Sequence, residues 1–82
     1  MIHDAHPGTL IKFTEATWGA YYKKTGPVNY KINKGTITMV LRILESMHHK
    51  SRIAGELDIL LNNRIITISL RESEDRFFII NE

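Results

Sequence analysis

The residues best suited to bind another molecule are aromatic and basic side chains that are interleaved near the start of the chain. Five of the seven aromatic residues lie within the first 30 positions: Phe13, Trp18, Tyr21, Tyr22 and Tyr30. Lysines flank them, as in the run from Trp18 to Lys24. Basic groups neutralise phosphates, and aromatic rings stack on unpaired bases. This combination favours RNA or single strands over duplex DNA, because stacking needs bases that have no pairing partner.

The distribution of charge agrees with a nucleic-acid partner. Eight cations and two acids lie between Lys12 and Arg52, whereas three cations and six acids lie between Glu56 and Glu82. The candidate phosphate contacts are Lys23, Lys24, Lys31, Lys34, Arg42, Lys50 and Arg52, and the candidate stacking residues are Trp18, Tyr21 and Tyr30. No signature of an RNA-recognition motif, a KH domain or a helix-turn-helix accompanies them. A second interpretation therefore stays open, in which the aromatics fill the core and the lysines keep the surface soluble.

Metal and cofactor chemistry find little support in the sequence. His3 follows a free amine and two amides, which can chelate copper or nickel, but it lies with His6 on a segment that we expect to be flexible. His48 and His49 are adjacent, so on a helix they point about 100° apart and cannot share an ion. Without cysteine, disulfides, Cys-type zinc sites, iron–sulfur clusters and thiol catalysis are excluded. We expect no metal site and no cofactor.

Catalytic motifs are equally sparse, and we expect a protein that is not an enzyme. No serine lies in a G-x-S-x-G elbow, and the five glycines are spread singly rather than grouped in a phosphate-binding loop. Glu56 and Asp58 are two carboxylates on one predicted strand, but no third group joins them. Solvated charges on a strand explain this pair more simply than acid–base catalysis.

The composition is that of one small domain. The 82 residues include 43% hydrophobic residues and carry a net charge of +2, which disfavours disorder. No stretch approaches the roughly 18 uncharged apolar residues of a membrane span, and the first residues lack the pattern of a signal peptide. We expect a cytoplasmic protein without membrane contact, with a flexible segment at 1–8 and a single α+β domain at 9–82.

The elements that must position the candidate residues are predicted from periodicity. Strands are expected at 9–13 and 28–32, the second closed by a turn at 33–35. Residues 14–26 favour a helix, because Thr14 can cap its start and Gly26-Pro27 gives a stop signal at its end. A strand from Trp18 to Tyr22 is the competing prediction. Residues 36–50 predict the clearest helix, because Ile37, Val40, Leu41, Leu44 and Met47 follow the spacing of a buried helical stripe.

The C-terminal third predicts a three-stranded antiparallel meander at 55–81, packed on one or two helices. A two-residue turn at Asn62-Asn63 would pair Leu61 with Arg64, Ile59 with Ile66 and Leu57 with Ile68. A second turn at 72–75 would then pair residue 70 with residue 77 and residue 71 with residue 76. Both turns place one apolar set on a single face: Leu57, Ile59, Leu61, Ile66, Ile68, Leu70, Phe77 and Ile79.

The opposite face of this meander is only partly polar. It carries four apolar residues that we assign to an interface: Leu60, Ile65, Phe78 and Ile80. Two interpretations stay open for this surface: the N-terminal strand or helix partly covers it, or it is the interface of a homodimer or of a complex with a protein partner. The sequence thus predicts a small non-enzymatic regulator that binds nucleic acid, RNA or single strands favoured, as a dimer. The alternative is a protein–protein interaction module, such as an inhibitor, an adaptor or an antitoxin-like accessory protein, that acts on a larger partner.

Overall fold

The chain folds as one antiparallel β-sheet. The computed structural model describes residues 6–47, 53–73 and 75–80. Its elements are β1 Leu10–Phe13, β2 Thr17–Lys23, β3 Gly26–Ile32, β4 Ile37–Met47, β5 Ile53–Leu61, β6 Arg64–Ser69, α1 Leu70–Ser73 and β7 Phe77–Ile80. The seven strands lie in the order β3-β2-β6-β5-β4-β1-β7, with β3 and β7 at the two edges. The short α1 is the one helix in the described residues, and none there has the length and apolar character that a membrane crossing needs.

The predicted α+β class is wrong, because the predicted helix at 36–50 is strand β4. Its helical periodicity has two structural sources. Apolar side chains lie on both faces of the strand, with Val40 buried while Ile37 and Leu44 are about half exposed. In addition, the pairing with β5 shifts between Val40 and Arg42, so one extra residue interrupts the alternation of period two. A two-sided strand with a bulge therefore imitates an amphipathic helix.

The predicted helix at 14–26 is also wrong, since its centre is strand β2. The competing strand prediction from Trp18 to Tyr22 is the one that the structure confirms. Gly-Pro follows the turn that joins β2 to β3 rather than a helix end, and Gly26 there has a φ of 125°. Gly19 marks a close approach, because a Cβ at this position would lie 2.6 Å from the Ile66 Cγ2.

The predicted strands at 9–13 and 28–32 and the hairpin at 62–63 are confirmed. Asn62 and Asn63 have φ values of 52° and 63°, the left-handed conformation that a two-residue turn between twisted strands requires. The predicted pairs 61–64, 59–66 and 57–68 are those observed between β5 and β6. The third strand of the predicted meander is wrong. After β6 the chain turns into α1, and β7 crosses to the far edge, where it pairs with β1.

The hydrophobic core lies on one face of the sheet, which we call the inner face. Its buried side chains are Ile11, Phe13, Ile32, Val40, Leu57, Ile59, Ile66, Ile68, Leu70 and Phe77. Of the eight residues predicted to share an apolar face, six belong to this set and Leu61 and Ile79 pack against it. No second layer of helices lies over this face in the described residues, so the sheet must curve to enclose it. The bulge in β4 and Gly55 in β5, with a φ of 139°, supply local bends.

Candidate nucleic-acid interface

The outer face of the sheet carries the side chains that are available for binding. Five apolar side chains lie directly opposite one another on β7, β1, β4, β5 and β6 and form a line across the sheet. We call this line the apolar row: Ile80, Leu10, Met39, Leu60 and Ile65. Leu10, Met39, Leu60 and Ile65 are between 38% and 57% exposed. Phe78 and Ile37 flank the row on either side of Lys12, so the apolar surface is widest near β7 and β1.

A polar line runs parallel to the apolar row. Arg42, Asp58 and Thr67 lie opposite one another on β4, β5 and β6. The Arg42 Nε donates to the Asp58 Oδ2 at 2.9 Å, and the Thr67 hydroxyl donates to Oδ1 at 2.7 Å. Glu56 is a further 4.0 Å from the Arg42 guanidinium. Two carboxylates thus accompany the positive charge of Arg42, which makes it a poor phosphate contact.

The aromatic side chains that remain exposed lie on β2. Trp18 is 62% exposed and Tyr22 is 70% exposed. They are four residues apart on the outer face, with Ala20 between them, which corresponds to a separation of about 13 Å along the strand. Lys31 lies on β3 directly opposite Trp18. We call Trp18, Tyr22 and Lys31 the aromatic strip.

A groove opens beside Tyr22, between β2 and β6. It has a volume of about 400 Å³ and is lined by Tyr21, Tyr22, Asn63, Arg64, Ile65 and Thr67. The Arg64 guanidinium lies over the Tyr21 ring at 4.3 Å from its centre, a cation–π contact that fixes the charge at the groove wall. The groove therefore combines an exposed aromatic ring, an amide and a positioned cation.

The structure places Tyr21 and Tyr30 on the inner side of the hairpin formed by β2 and β3. Both pack against the core, with their rings 6.1 Å apart in an edge-to-face arrangement. The Tyr30 hydroxyl accepts a hydrogen bond from the Asn62 amide at 2.5 Å. Both tyrosines are half-buried, so of the three predicted stacking residues Trp18 is the most exposed, at 62%.

The candidate basic residues are spread along the hairpin rather than gathered in one patch. Lys23 and Lys24 lie at the turn that joins β2 to β3. Lys31 lies five residues along β3 from Gly26, which is roughly 17 Å of strand, and Lys34 occupies the following turn. The remaining two candidates, Lys50 and Arg52, lie outside the described residues. The hairpin thus carries a line of positive charge, and the sequence has no acidic residue between Glu15 and Glu45 to oppose it.

Tyr22 and Arg64 are residues that the sequence analysis did not select. Tyr22 was not selected because residues 14–26 were predicted to be a helix. Trp18, Ala20 and Tyr22 lie on one face only if the segment is a strand. Arg64 follows the Asn62-Asn63 turn and was treated as one end of a strand pair. Its nearness to Tyr21 follows from the pairing of β2 with β6, for which the sequence offers no local signal.

The residues predicted to form an interface lie on one face but not side by side. Leu60 and Ile65 are paired neighbours on β5 and β6, whereas Phe78 and Ile80 lie on β7 at the sheet edge. Leu10 and Met39, which the sequence analysis did not include, connect the two pairs. Phe78 is 49% exposed, and Ile80 is half-buried.

Histidine and carboxylate groups give no metal cluster in the part of the chain that the structure describes. His3, His48 and His49 lie outside that part.

A scan of protein-family models, a search of curated protein sequences and a search of solved structures each found no match to this chain.

Proposed function

We propose that the chain binds single-stranded nucleic acid, with RNA favoured, on the outer face of the hairpin formed by β2 and β3. The observation that carries the proposal is the aromatic strip, in which two rings are more than three-fifths exposed on one strand face beside a lysine. An exposed aromatic ring on a sheet surface is a platform on which a base can stack.

The surroundings of the strip suit the backbone of such a ligand. Lys23, Lys24 and Lys31 lie along the hairpin without an opposing acid, and Arg64 lies at the wall of the adjacent groove. A strand that crosses Trp18 and Tyr22 on the outer face would pass Lys31 opposite Trp18, and Lys23 and Lys24 lie at the turn beyond Tyr22. Stacking accepts any base and cations accept any phosphate, so the expected binding is tolerant of sequence and sensitive to salt.

The first test measures binding through Trp18 itself. Trp18 is the sole tryptophan, so a base that stacks on it should change its fluorescence without any label. We expect a 12-nucleotide single-stranded RNA to quench this fluorescence, and a duplex of the same sequence to quench it less. Trp18→Ala should weaken binding of a labelled RNA by roughly 5- to 150-fold in anisotropy titrations, the range for loss of one stacked base.

Matched controls separate this site from the rest of the surface. Leu44→Ala removes a side chain of similar exposure from the outer face of β4 and should leave the affinity unchanged. Lys23→Glu with Lys24→Glu should lower the salt dependence of binding by roughly 0.7 in log–log slope for each lost phosphate contact, whereas Lys12→Glu on β1 should not. Wild-type fluorescence that RNA does not change, or Trp18→Ala with wild-type affinity, would refute the proposal.

The apolar row favours a second candidate function, a protein–protein interaction module. Its exposed side chains form a continuous uncharged line across five strands, and this chemistry fits an apolar surface on a larger protein. Leu60→Lys should abolish a stoichiometric complex with such a protein, whereas Trp18→Ala should leave the complex intact. The opposite pattern of losses would assign the binding to the aromatic strip.

A further inference from the structure

The two edges of the sheet differ in how well they are protected against pairing with another strand. The β3 edge contains Gly26, Pro27 and Lys31, and glycine, proline and lysine all discourage strand addition. The β7 edge has the sequence Phe-Phe-Ile-Ile, which contains no proline, no glycine and no charge. Among the described residues, β7 pairs with β1 on one side and with nothing on the other. Within the part of the chain that the structure describes, the sheet is therefore open at β7.

The backbone groups that β7 presents at this edge follow from the hydrogen bonds of β1. The Thr14 amide donates to the Arg76 carbonyl at 2.8 Å, while the Phe13 amide donates to Thr36 on the opposite side of β1. Hydrogen-bonded positions alternate along an antiparallel pair, so residues 76, 78 and 80 direct their backbone groups toward β1. The amides and carbonyls of Phe77 and Ile79 consequently point away from the sheet.

We propose that β7 pairs with β7 of a second copy of this chain, antiparallel and about a two-fold axis at Phe78. In this register Phe77 of one copy lies opposite Ile79 of the other. Each such pair exchanges two hydrogen bonds, so the four outward groups of each copy are all satisfied. The two Phe78 side chains then meet on the outer face, where each is now 49% exposed.

A second copy fits this edge better than an unrelated peptide. Antiparallel pairing of one strand with itself is self-complementary, which is the requirement for a closed two-fold interface. The edge carries no charge that would repel an identical edge. Small domains also commonly gain stability by association. The hairpin of β2 and β3 lies at the other end of the strand order from β7, so no residue of the aromatic strip belongs to the proposed interface.

The absence of cysteine from the sequence permits a direct test by cross-linking. The two Phe78 residues would face each other across the axis as a non-hydrogen-bonded pair. In such a pair the two Cα atoms lie about 4.5 Å apart. This spacing is within the range of roughly 4.4–6.8 Å that a disulfide needs. Phe78→Cys should therefore form a covalent dimer in oxidised glutathione, whereas Ile37→Cys, of similar exposure on β4 and two strands away, should stay monomeric.

Sedimentation of the unmodified protein completes the test. The wild-type chain should show a mass that rises from one copy to two with concentration, and Phe78→Lys should hold it at one copy, since two lysines would meet at the axis. Ile37→Lys should leave the dimer intact. A wild-type chain that stays monomeric at every concentration, or equal cross-linking of Phe78→Cys and Ile37→Cys, would overturn the proposal. Loss of the dimer in Ile37→Lys would place a second copy on the outer face instead of the edge.

Discussion

Gly19 is a position where one added methyl group should disturb the packing of the sheet. A Cβ there would lie 2.6 Å from the Ile66 Cγ2, 2.7 Å from the Ile68 Cγ2 and 2.9 Å from the Thr67 carbonyl oxygen. Real Cβ contacts are almost never shorter than 3.0 Å. The two methyl groups belong to fully packed core residues and the third atom is backbone, so no flexible group can move aside. Strand β2 itself must shift away from β6.

We expect Gly19→Ala to lower the free energy of unfolding by about 1–2 kcal/mol. Overpacking a well-packed site lowers the free energy of unfolding by ~1–3 kcal/mol. Alanine has less conformational freedom than glycine in the unfolded chain, which offsets ~0.4–1 kcal/mol of this loss. For a domain of this size, that corresponds to a fall in melting temperature of roughly 5–15 °C. Urea denaturation followed by circular dichroism measures the effect, and Asn29→Ala, at an exposed site on the neighbouring strand, should change it little.

A rescue experiment identifies the atoms responsible. Leucine lacks the branched Cγ2 of isoleucine at nearly the same volume, so Ile66→Leu with Ile68→Leu removes the two clashing methyl groups. In this background Gly19→Ala should cost less than in the wild-type chain, although the contact with the Thr67 carbonyl remains. If Gly19→Ala leaves the urea midpoint unchanged, β2 does not approach β6 as closely as described. An equal cost in both backgrounds would assign the cost to the Thr67 carbonyl rather than to the two methyl groups.

Two further predictions concern the outer face and the β5–β6 turn. Asp58→Ala leaves the Thr67 hydroxyl without its acceptor, so we expect the free energy of unfolding in urea to fall by about 1–2 kcal/mol. Glu56→Gln changes an exposed 4.0 Å contact with Arg42 and should lower it by less than ~0.5 kcal/mol. Equal losses would show that Asp58 acts only as a surface charge. Asn63→Val places a β-branched residue at a φ of 63° and should lower stability by about 1–2 kcal/mol, whereas Asn63→Gly should not lower it. A stable Asn63→Val variant would contradict the left-handed turn.

The hairpin formed by β5 and β6 is predictable because its determinants are local. Two asparagines that tolerate positive φ fix the turn, and the turn then fixes every pair along both strands. Alternation of period two checks the register independently, since a slip by one residue would expose Ile59 and Ile66. Agreement between turn chemistry and side-chain pattern is what made the prediction correct to the residue.

The rest of the sheet is not predictable in this way because its pairings are distant in sequence. β1 joins β4 on one side and β7 on the other, and the second pairing connects residues that are far apart in sequence, such as Lys12 and Phe78, which are 66 positions apart. A meander is the simplest continuation of a correct hairpin. The residues at 72–75 contain no local signal that the chain crosses to the far edge of the sheet after them. The apolar face was nevertheless predicted correctly, because burial of Phe77 and Ile79 on the inner side does not depend on which strand lies beside them.

The candidate site was only partly predictable for a related reason. Composition identified the aromatic and basic hairpin, but the choice between Tyr21 and Tyr22 depends on whether the segment is helix or strand. In the strand, alternation sends Tyr21 to the core side and Tyr22 to the outer face. One error in secondary structure therefore exchanges a tyrosine on the core side for a tyrosine on the outer face, while the lysines stay candidates in either case.

Gly19 connects the stability of the sheet to the proposed binding surface. The hairpin of β2 and β3 is joined to β6 through a ladder in which Ala20 pairs with Thr67, a much shorter seam than the six pairs between β5 and β6. The close approach at Gly19 compensates for the short ladder by packing β2 directly on Ile66 and Ile68. The same approach brings Tyr22 beside Ile65 and Arg64, which forms the groove. A residue without a side chain thus determines where the aromatic strip lies, and displacement of β2 should weaken the proposed nucleic-acid binding although Trp18, Tyr22 and Lys31 are all unchanged.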